Sequence, residues 1–388
     1  MTEGKAFRII PVFVILLYIL KPINASEEPK QNHQDHTEQQ TDHYTDNSEH
    51  QTEEHNTHEA FEPGKFMFDH ISDAYDWHII DIGKKSVSIP LPIILYSSES
   101  GLNVFMSSKF HHGHASFRNF HIAAEGETVN HKEVKGKIIE TLSDGTKVIP
   151  FDISFTKNIA SLFIGIILIL WIFISVGKAY QKKPIKAPSG LQSWVEPMII
   201  FVRDEIAIPS IGIKKYEKFL PFLLTVFFFI WINNMLGLVP FFPGGANLTG
   251  NISVTLVLAL FTFFITTISG NKTYWKHIFN TPGVPWWLKV PIPLMPFVEF
   301  LGVLTKPFVL MVRLFANITA GHIIALGFLS LVFLFGEMGK IQGYGISIVS
   351  VGFIIFMTFL ELLVAFIQAY VFTFLSAIYF GMAVEEHH

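Results

Sequence analysis

Five apolar stretches, each long enough to cross a lipid bilayer, constrain the fold of this 388-residue chain more than any other feature. Three have ordinary lengths, at residues 159–176, 219–239 and 252–268. The last two extend over roughly 292–335 and 345–383, and a helix of about 40 residues is ~60 Å long, twice the ~30 Å hydrocarbon thickness. The sequence therefore predicts an all-α polytopic membrane protein with about five crossings, including two long, tilted helices packed as a hairpin.

The charges of the connecting segments predict how these helices are oriented. Residues 177–218 carry eight Lys or Arg and residues 270–290 carry three, whereas residues 240–251 carry none. The positive-inside rule therefore places the N-terminal region outside the cell membrane and the C-terminus in the cytoplasm. Residues 1–25 agree, because a basic start, a short apolar run and small residues before a cleavage site are typical of a signal peptide. A retained N-terminal anchor is the alternative.

The segments between the signal and the membrane differ in composition. Residues 26–60 hold ten acidic residues, one lysine and six histidines, which predicts a disordered acidic linker. Residues 61–150 contain strand-length runs between turn signals and predict a small β-rich exported region, beginning with a short helix over 70–81. Histidines in the linker and in "HHGH" (111–114) could hold a metal ion, but their irregular spacing favours loop positions. Residues 151–388 then form the transmembrane domain.

Polar residues recur within the two long apolar stretches, and the principal ones are Glu299, Lys306, Arg313, Asn317, Glu361 and Gln368. Glu299, Lys306 and Arg313 are spaced by seven residues and therefore share one side of a helix. A charge near the bilayer centre costs roughly 3 kcal/mol or more, so it normally faces a partner or a water-filled cavity. A structural ion pair, residues reaching the interface from helix ends, and an ion pathway are the three explanations. The depth of Arg313 favours the pathway.

His322 is a separate candidate, because it lies nine positions after Arg313 and so on the opposite side of an ideal helix. Its expected partner is Glu361, the intramembrane carboxylate of the other long stretch. A His–Glu pair that exchanges a proton near neutral pH would suit an aqueous access channel. A structural hydrogen bond between two helices is the alternative.

Several blocks of this sequence resemble, in order, subunit a of the F-type ATP synthases, the membrane stator channel. "RLFANITAGH" is similar to the family signature "RLFGN…AG". The blocks that resemble the family are residues 203–240, 248–260, 293–317 and 366–387. The resemblance is strong over 200–388 and loose over 61–200, and it indicates a bacterial type with an extended exported N-terminal region.

The resemblance implies a role for each matching polar residue. Arg313 matches the arginine that faces the proton-carrying carboxylates of a rotating c-ring and prevents a short circuit between two half-channels. Asn317 and Gln368 match polar positions beside it. Asn234 matches an asparagine of the second span, and Glu299 matches a carboxylate near the cytoplasmic path.

This sequence departs from the family pattern at identifiable positions. Where well-known bacterial members carry Glu and His, this chain has His322 and Glu361, so the pair is exchanged but kept. Ala316 replaces the usual glycine before the asparagine, and Val309 replaces a serine that is often found there. The exchange supports contact between the two members of the pair.

The resemblance also implies partners, location and the absence of a catalytic site in this chain. The expected partners are the c-ring, peripheral-stalk subunit b, the remaining ATP synthase subunits and the lipid of a bacterial inner membrane, without nucleic acid or cofactor. ATP chemistry would lie on partner subunits, because the chain has no phosphate-binding loop motif.

Two other classes of function compete with this interpretation. A standalone secondary ion transporter with an exported metal-binding or sensor domain would show internal repeats and helices broken near the membrane midplane. A metal-binding protein with a membrane anchor would leave five spans and their charges unexplained.

Overall fold

The computed structural model describes residues 62–64, 67, 71–82, 85–113, 115–182, 187–239, 242–279 and 294–385. The expected signal peptide (1–25) and acidic linker (26–60) lie outside the described residues. The described residues form a β-containing region followed by a helical bundle, which confirms the predicted fold class.

The region before the first long helix contains ten short strands among the described residues. They are β1 (Asp76–Ile82), β2 (Lys85–Pro90), β3 (Pro92–Ser97), β4 (Gly101–Met106), β5 (Phe120–Ile122), β6 (Thr128–Val129), β7 (Lys132–Glu133), β8 (Ile138–Thr141), β9 (Lys147–Val148) and β10 (Phe151–Asp152). All pair antiparallel, in the orders β1-β2, β10-β3-β4, β5-β8-β9 and β6-β7.

The prediction of a short helix over 70–81 is wrong at the residues that form β1 (Asp76–Ile82). Trp77 pairs with Ile89 across β1 and β2. Trp77 is buried, and the segment is rich in aromatic and β-branched residues. Such residues favour a pleated, half-buried strand over a helix.

The β-containing region has a hydrophobic core of its own. Ile93 and Leu95 on β3 point inward by the two-residue period of a strand, and they pack with Phe110, Phe120 and Ile138. Phe110 precedes Gly113 in a 3₁₀ segment (Ser107–Gly113), and its ring lies edge-on to that of Phe105 at 5.4 Å.

Eight α-helices follow among the residues that the structure describes. They are α1 (Lys157–Lys182), α2 (Leu191–Phe201), α3 (Ile208–Ile211), α4 (Tyr216–Leu238), α5 (Ile252–Ser269), α6 (Lys272–Phe279), α7 (Leu294–Met338) and α8 (Lys340–Val384), and a π-helical turn (Val202–Ala207) joins α2 to α3. Five of the described helices, namely α1, α4, α5, α7 and α8, are long and apolar enough to cross a membrane. The five predicted crossings are thereby confirmed.

The two longest helices, α7 and α8, form an antiparallel hairpin at Gly339. Each has 45 residues, so each is about 67 Å long, more than twice the ~30 Å hydrocarbon thickness. Contacts along the hairpin pair successively earlier residues of α7 with later residues of α8, namely Gly336 with Gly343, Phe328 with Phe353, His322 with Glu361 and Lys306 with Tyr379. The predicted hairpin is therefore present.

The C-terminal half of α8 packs into the bundle formed by α4 and α5. Phe380 stacks on Phe219 of α4 at 4.9 Å, and Ser376 lies 3.2 Å from the hydroxyl of Thr262 on α5. Small residues such as Ala369 and Ala377 are fully buried there, which lets the helix backbones approach closely. Lys215 donates from Nζ to the Val384 carbonyl at 2.8 Å and caps the end of α8.

Candidate functional site

The polar residues of α7 run along the helix on both sides of Arg313. At 1.5 Å per residue, Lys306 lies about 10 Å and Glu299 about 21 Å before Arg313 along the axis. Lys306 is partly buried, and its Nζ lies 5.4 Å from the ring centre of Tyr379 on α8, within cation–π range. Arg313 and Asn317 are exposed.

Arg313 and Asn317 lie on the side of α7 that faces away from the bundle. Leu310, Leu314 and Ile318 are buried against the other helices. Apart from Asn317, the exposed side chains near Arg313 on α7 are apolar and include Phe308, Val309 and Val312, and α8 exposes Leu362, Leu363 and Ile367. A guanidinium surrounded by apolar side chains on a membrane helix requires a partner group, so this face is suited to contact another protein.

His322 and Glu361 come together across the hairpin. Nδ1 of His322 lies 3.5 Å from Oε1 of Glu361, within ion-pair distance, and both side chains are mostly buried. The predicted contact is therefore present. Neither atom has a hydrogen-bond partner among the described residues, which leaves both able to bond water or to exchange a proton.

Glycines make the space for this pair. A Cβ at Gly321 would lie 2.6 Å from Oε1 of Glu361, so any larger residue would displace the carboxylate. On the other side of His322, a Cβ at Gly237 of α4 would lie 4.0 Å from Nε2 of the imidazole. The histidine therefore lies between the end of α4 and the carboxylate of α8.

Asn234 connects α4 to both neighbouring segments. Its Nδ2 donates to the Ala365 carbonyl of α8 at 3.4 Å, and its Oδ1 accepts from the Thr249 hydroxyl at 2.5 Å. Gln368, one turn beyond Ala365, is 6% exposed. The sequence-predicted residues Asn234 and Gln368 thus lie inside the bundle, whereas Arg313 and Asn317 lie on its surface.

A second polar group lies on the Lys306 side of the bundle. Thr262 and Thr266 of α5, Tyr274 of α6, Lys306 of α7 and Tyr379 of α8 line a small cavity. The Tyr274 hydroxyl is buried and has no hydrogen-bond partner among the described residues. Tyr274 was not predicted from the sequence, because a tyrosine in a short interfacial segment carries no distinctive pattern.

Asn233 was also missed by the sequence analysis. It points away from Asn234, toward α1, where Gly165 leaves room for its side chain. The Asn233 amide donates to the Phe229 carbonyl at 2.7 Å, and its Oδ1 is buried without a described partner. Two adjacent asparagines in an apolar span are the signal that could have identified it.

No group of three or more potential metal ligands occurs among the residues that the structure describes. His111 lies at the end of the 3₁₀ segment, and the histidines of 26–60 lie outside the described residues. Within the described membrane-spanning helices, His322 is the histidine that lies beside a carboxylate, that of Glu361.

Comparison with known proteins gives the family. The model for "ATP synthase A chain" matches residues 159–381, more than half of the chain. A second model, for a "Domain of unknown function (DUF8433)", matches residues 66–155, the β-containing region.

Curated relatives agree with that match. The chain is 44% identical over 246 residues to "ATP synthase subunit a" of Chloroherpeton thalassium, covering 61% of this chain and 69% of the relative. It is 40% identical over 278 residues to "ATP synthase subunit a" of Chlorobium phaeobacteroides, covering 68% and 77%. The protein of the same description from Myxococcus xanthus is 42% identical over 258 residues, covering 65% and 79%. The chain therefore belongs to the ATP synthase A chain family, that is, subunit a of the F-type ATP synthase.

Proposed function

We propose that this chain is the proton-translocating stator subunit of its complex, with two aqueous half-channels that meet at Arg313. The observation that carries the proposal is the position of Arg313 on the outer face of α7, between two polar clusters. His322 and Glu361 lie about 13 Å away along the helix axis in one direction, and Lys306 lies about 10 Å away in the other.

Arg313 acts on a carboxylate of the c-ring that rotates past this face. An ionised carboxylate is costly to expose to lipid, so the ring carries it protonated. Beside Arg313 the ionised form is favoured, because an opposite charge within about 4–6 Å lowers a carboxyl pKa by roughly 1–3 units. The proton therefore leaves through one half-channel before another enters from the opposite side. The permanent charge of the guanidinium prevents protons from passing directly from one half-channel to the other.

His322 and Glu361 form the half-channel on the exported side, and Asn234 fixes the adjoining end of α4 through its bonds to Ala365 and Thr249. The positive-inside rule places the loop between α4 and α5 outside, and that end of α4 lies against His322. A histidine and a carboxylate with unfilled hydrogen-bonding capacity can pass a proton between water and the ring. The pair favours protons over sodium as the transported ion.

Glu299, Lys306 and Tyr274 form the cytoplasmic half-channel. They lie on the opposite side of Arg313 from His322, toward the basic connections that the positive-inside rule places in the cytoplasm. Asn317 extends the polar surface at Arg313 by one helical turn, while Gln368 is a polar side chain inside the bundle. Each proton that crosses 100 mV releases about 2.3 kcal/mol, which ring rotation couples to work.

The chain has no catalytic site in this proposal, and ATP is made or hydrolysed on partner subunits. The c-ring covers the Arg313 face, and peripheral-stalk subunit b and the remaining subunits hold the chain in place in a bacterial inner membrane. A standalone transporter is disfavoured by the family and by the continuous α7 helix, which is unbroken at Arg313 despite Pro307.

The test is Arg313→Ala in the assembled complex in membrane vesicles, after confirming that the subunit is inserted. ATP-driven acidification and passive proton leak are followed side by side. We expect acidification to be lost and the leak to rise. Normal acidification with an unchanged leak would make Arg313 structural and would overturn the proposal. Gly302→Ala, at an α7 position with open space around it, is the matched control.

A further inference from the structure

The β-containing region contacts the loop between α4 and α5 through Trp77. Trp77 of β1 is 3% exposed, although it lies on a strand of only seven residues. Its indole N–H donates to the Gly244 carbonyl oxygen at 3.2 Å, and its ring packs edge-on against Phe242 at 5.2 Å. Both partners belong to the loop between α4 and α5, so the tryptophan buries itself against the membrane domain.

That loop is folded tightly back onto the end of α4. The Gly245 amide donates to the Leu236 carbonyl at 3.2 Å. A Cβ at Gly244 would collide with the carbonyl oxygens of Leu236 and Val239, so only glycine fits there. Gly245 has a φ of +77°, in the left-handed region that glycine adopts without strain. The loop therefore has a defined conformation that a contact at Gly244 can hold in place.

The far side of the same loop reaches the proposed half-channel. Ala246 places its carbonyl oxygen 3.3 Å from where a Cβ of Gly237 would stand, and Gly237 is the residue beside His322. Thr249 donates to Asn234 at 2.5 Å. Asn247 is 6% exposed, and its Nδ2 has no hydrogen-bond partner among the described residues. Residues 242–251 thus run from Trp77 to the polar groups around His322.

Two further contacts fix the β-containing region over this part of the bundle. The Lys157 amide, at the start of α1, donates to the Ala74 carbonyl at 2.8 Å, three residues before Trp77. On the opposite side, Met67 Sδ lies 3.7 Å from the position of a Cβ at Gly327, five residues beyond His322 on α7. The region therefore contacts α1, the 242–251 loop and α7.

We propose that the β-containing region is a positioning element for proton entry, and that Trp77 holds the 242–251 loop as the cover of the path to His322 and Glu361. This inference rests on the proposed function, because it assigns the contact to the exported half-channel. Trp77 does not itself touch the proton path. It acts through the loop, whose inner residues bond to Asn234 and lie beside His322.

The experiment exploits the absence of cysteine from the natural chain. Asn247→Cys places a single thiol on the inner side of the loop, and its labelling by a membrane-impermeant maleimide from the exported side reports how closed the cover is. The labelling rate is compared in otherwise unchanged complexes that carry Trp77→Ala, Trp77→Phe or Tyr96→Ala. Passive proton conduction is measured separately, after removal of the catalytic sector, in membranes whose complexes carry the same substitutions but lack the cysteine.

Trp77→Ala is expected to raise the labelling rate and to lower proton conduction, each about fivefold, the factor that corresponds to one neutral hydrogen bond. Trp77→Phe keeps the aromatic contact with Phe242 but loses the N–H donor, so its effect is expected to be smaller. Tyr96→Ala removes an exposed aromatic ring of the same region that has no hydrogen bond or ring contact with the loop among the described residues, and it is expected to leave both rates near those of the unmodified complex.

Two results would overturn the inference. One is an unchanged labelling rate in Trp77→Ala, which would mean that the tryptophan does not hold the loop. The other is an equal change in Tyr96→Ala, which would mean that the effect does not come from the contact between Trp77 and the loop. Arg313→Ala in parallel separates the two proposals. If it removes coupled transport while Trp77→Ala changes nothing, this inference fails and the proposed function stands.

Discussion

Asn234 and Arg313 are polar side chains on two membrane-spanning helices, and the fold accommodates them in opposite ways. Asn234 is 4% exposed, donates to Ala365 and accepts from Thr249. Arg313 is exposed on the outer face of α7 and forms no hydrogen bond or ion pair with any residue that the structure describes. One group is satisfied within the chain, and the other is left for something outside it.

The contrast separates polar residues that hold helices together from those that act on a partner. A buried polar group without a partner costs about 1–3 kcal/mol, so the complete bonding of Asn234 accounts for its place in the bundle. A charge on the apolar outer surface of a membrane helix is more costly still and gains nothing for the isolated chain. The uncompensated residue is therefore the better candidate for direct action on the ring.

The largest expected effect comes from changing the kind of charge at Arg313. Arg313→Lys is expected to reduce ATP-driven pumping about a hundredfold, because the guanidinium lowers the pKa of a ring carboxyl group by roughly 1–3 units. Lysine offers a compact charge that can lose its proton in a low-dielectric site, whereas arginine cannot. Passive leak should therefore rise with pH in Arg313→Lys but be high at every pH in Arg313→Ala. A lysine variant that pumps normally at alkaline pH would contradict this account.

Much of this architecture could be predicted from the sequence, because length and hydropathy are local properties. The apolar run at 252–268 became α5 (Ile252–Ser269) almost without change. The contact between His322 and Glu361 could be predicted because few ionisable residues are available at that depth. The position of Lys306 before Arg313 and of His322 after it along the helix axis also follows from residue order and the rise per residue.

Features that depend on packing between distant segments could not be predicted. Asn233 faces α1 because Gly165 opens a space there, and 68 residues separate the two positions. Tyr274 lines a cavity that exists only where α5, α6, α7 and α8 meet. The strand at Trp77 was mistaken for a helix because its partner, β2, and the loop at Gly244 supply the contacts that decide it.

The next largest effect tests whether His322 and Glu361 act as a unit. His322→Glu and Glu361→His alone are each expected to lower proton conduction about tenfold, equivalent to ~1.4 kcal/mol, because each leaves two like groups facing each other across the hairpin. The double variant restores one acid and one imidazole across the hairpin and should recover most of the rate. Passive conduction in all three variants gives the coupling between the two sites. If the double variant conducts protons no faster than the slower of the two single variants, His322 and Glu361 do not act as a unit.

A smaller effect is expected from the space that the carboxylate needs. Gly321→Ala places a methyl group where Oε1 of Glu361 now approaches to 2.6 Å, so the carboxylate must move away from His322. Conduction should fall about fivefold, equivalent to ~1 kcal/mol, because the contact is lengthened while both groups remain. Gly302→Ala makes the same chemical change on the same helix in open space. Equal rates in the two variants would show that the distance between the carboxylate and the imidazole does not matter.

The smallest effect on transport is expected at Asn234, where the comparison began. Asn234→Ala leaves the Thr249 hydroxyl without its acceptor and should destabilise the subunit by about 1–3 kcal/mol, while conduction changes little beyond that loss of folded protein. Thr249→Val in the same chain removes the stranded hydroxyl and should recover part of the stability. Thermal unfolding of the four variants in detergent measures this cycle. If Asn234→Ala instead abolished conduction with its stability intact, Asn234 would belong with Arg313 as a group that acts on the proton, and internal hydrogen bonding would no longer mark a structural residue in this bundle.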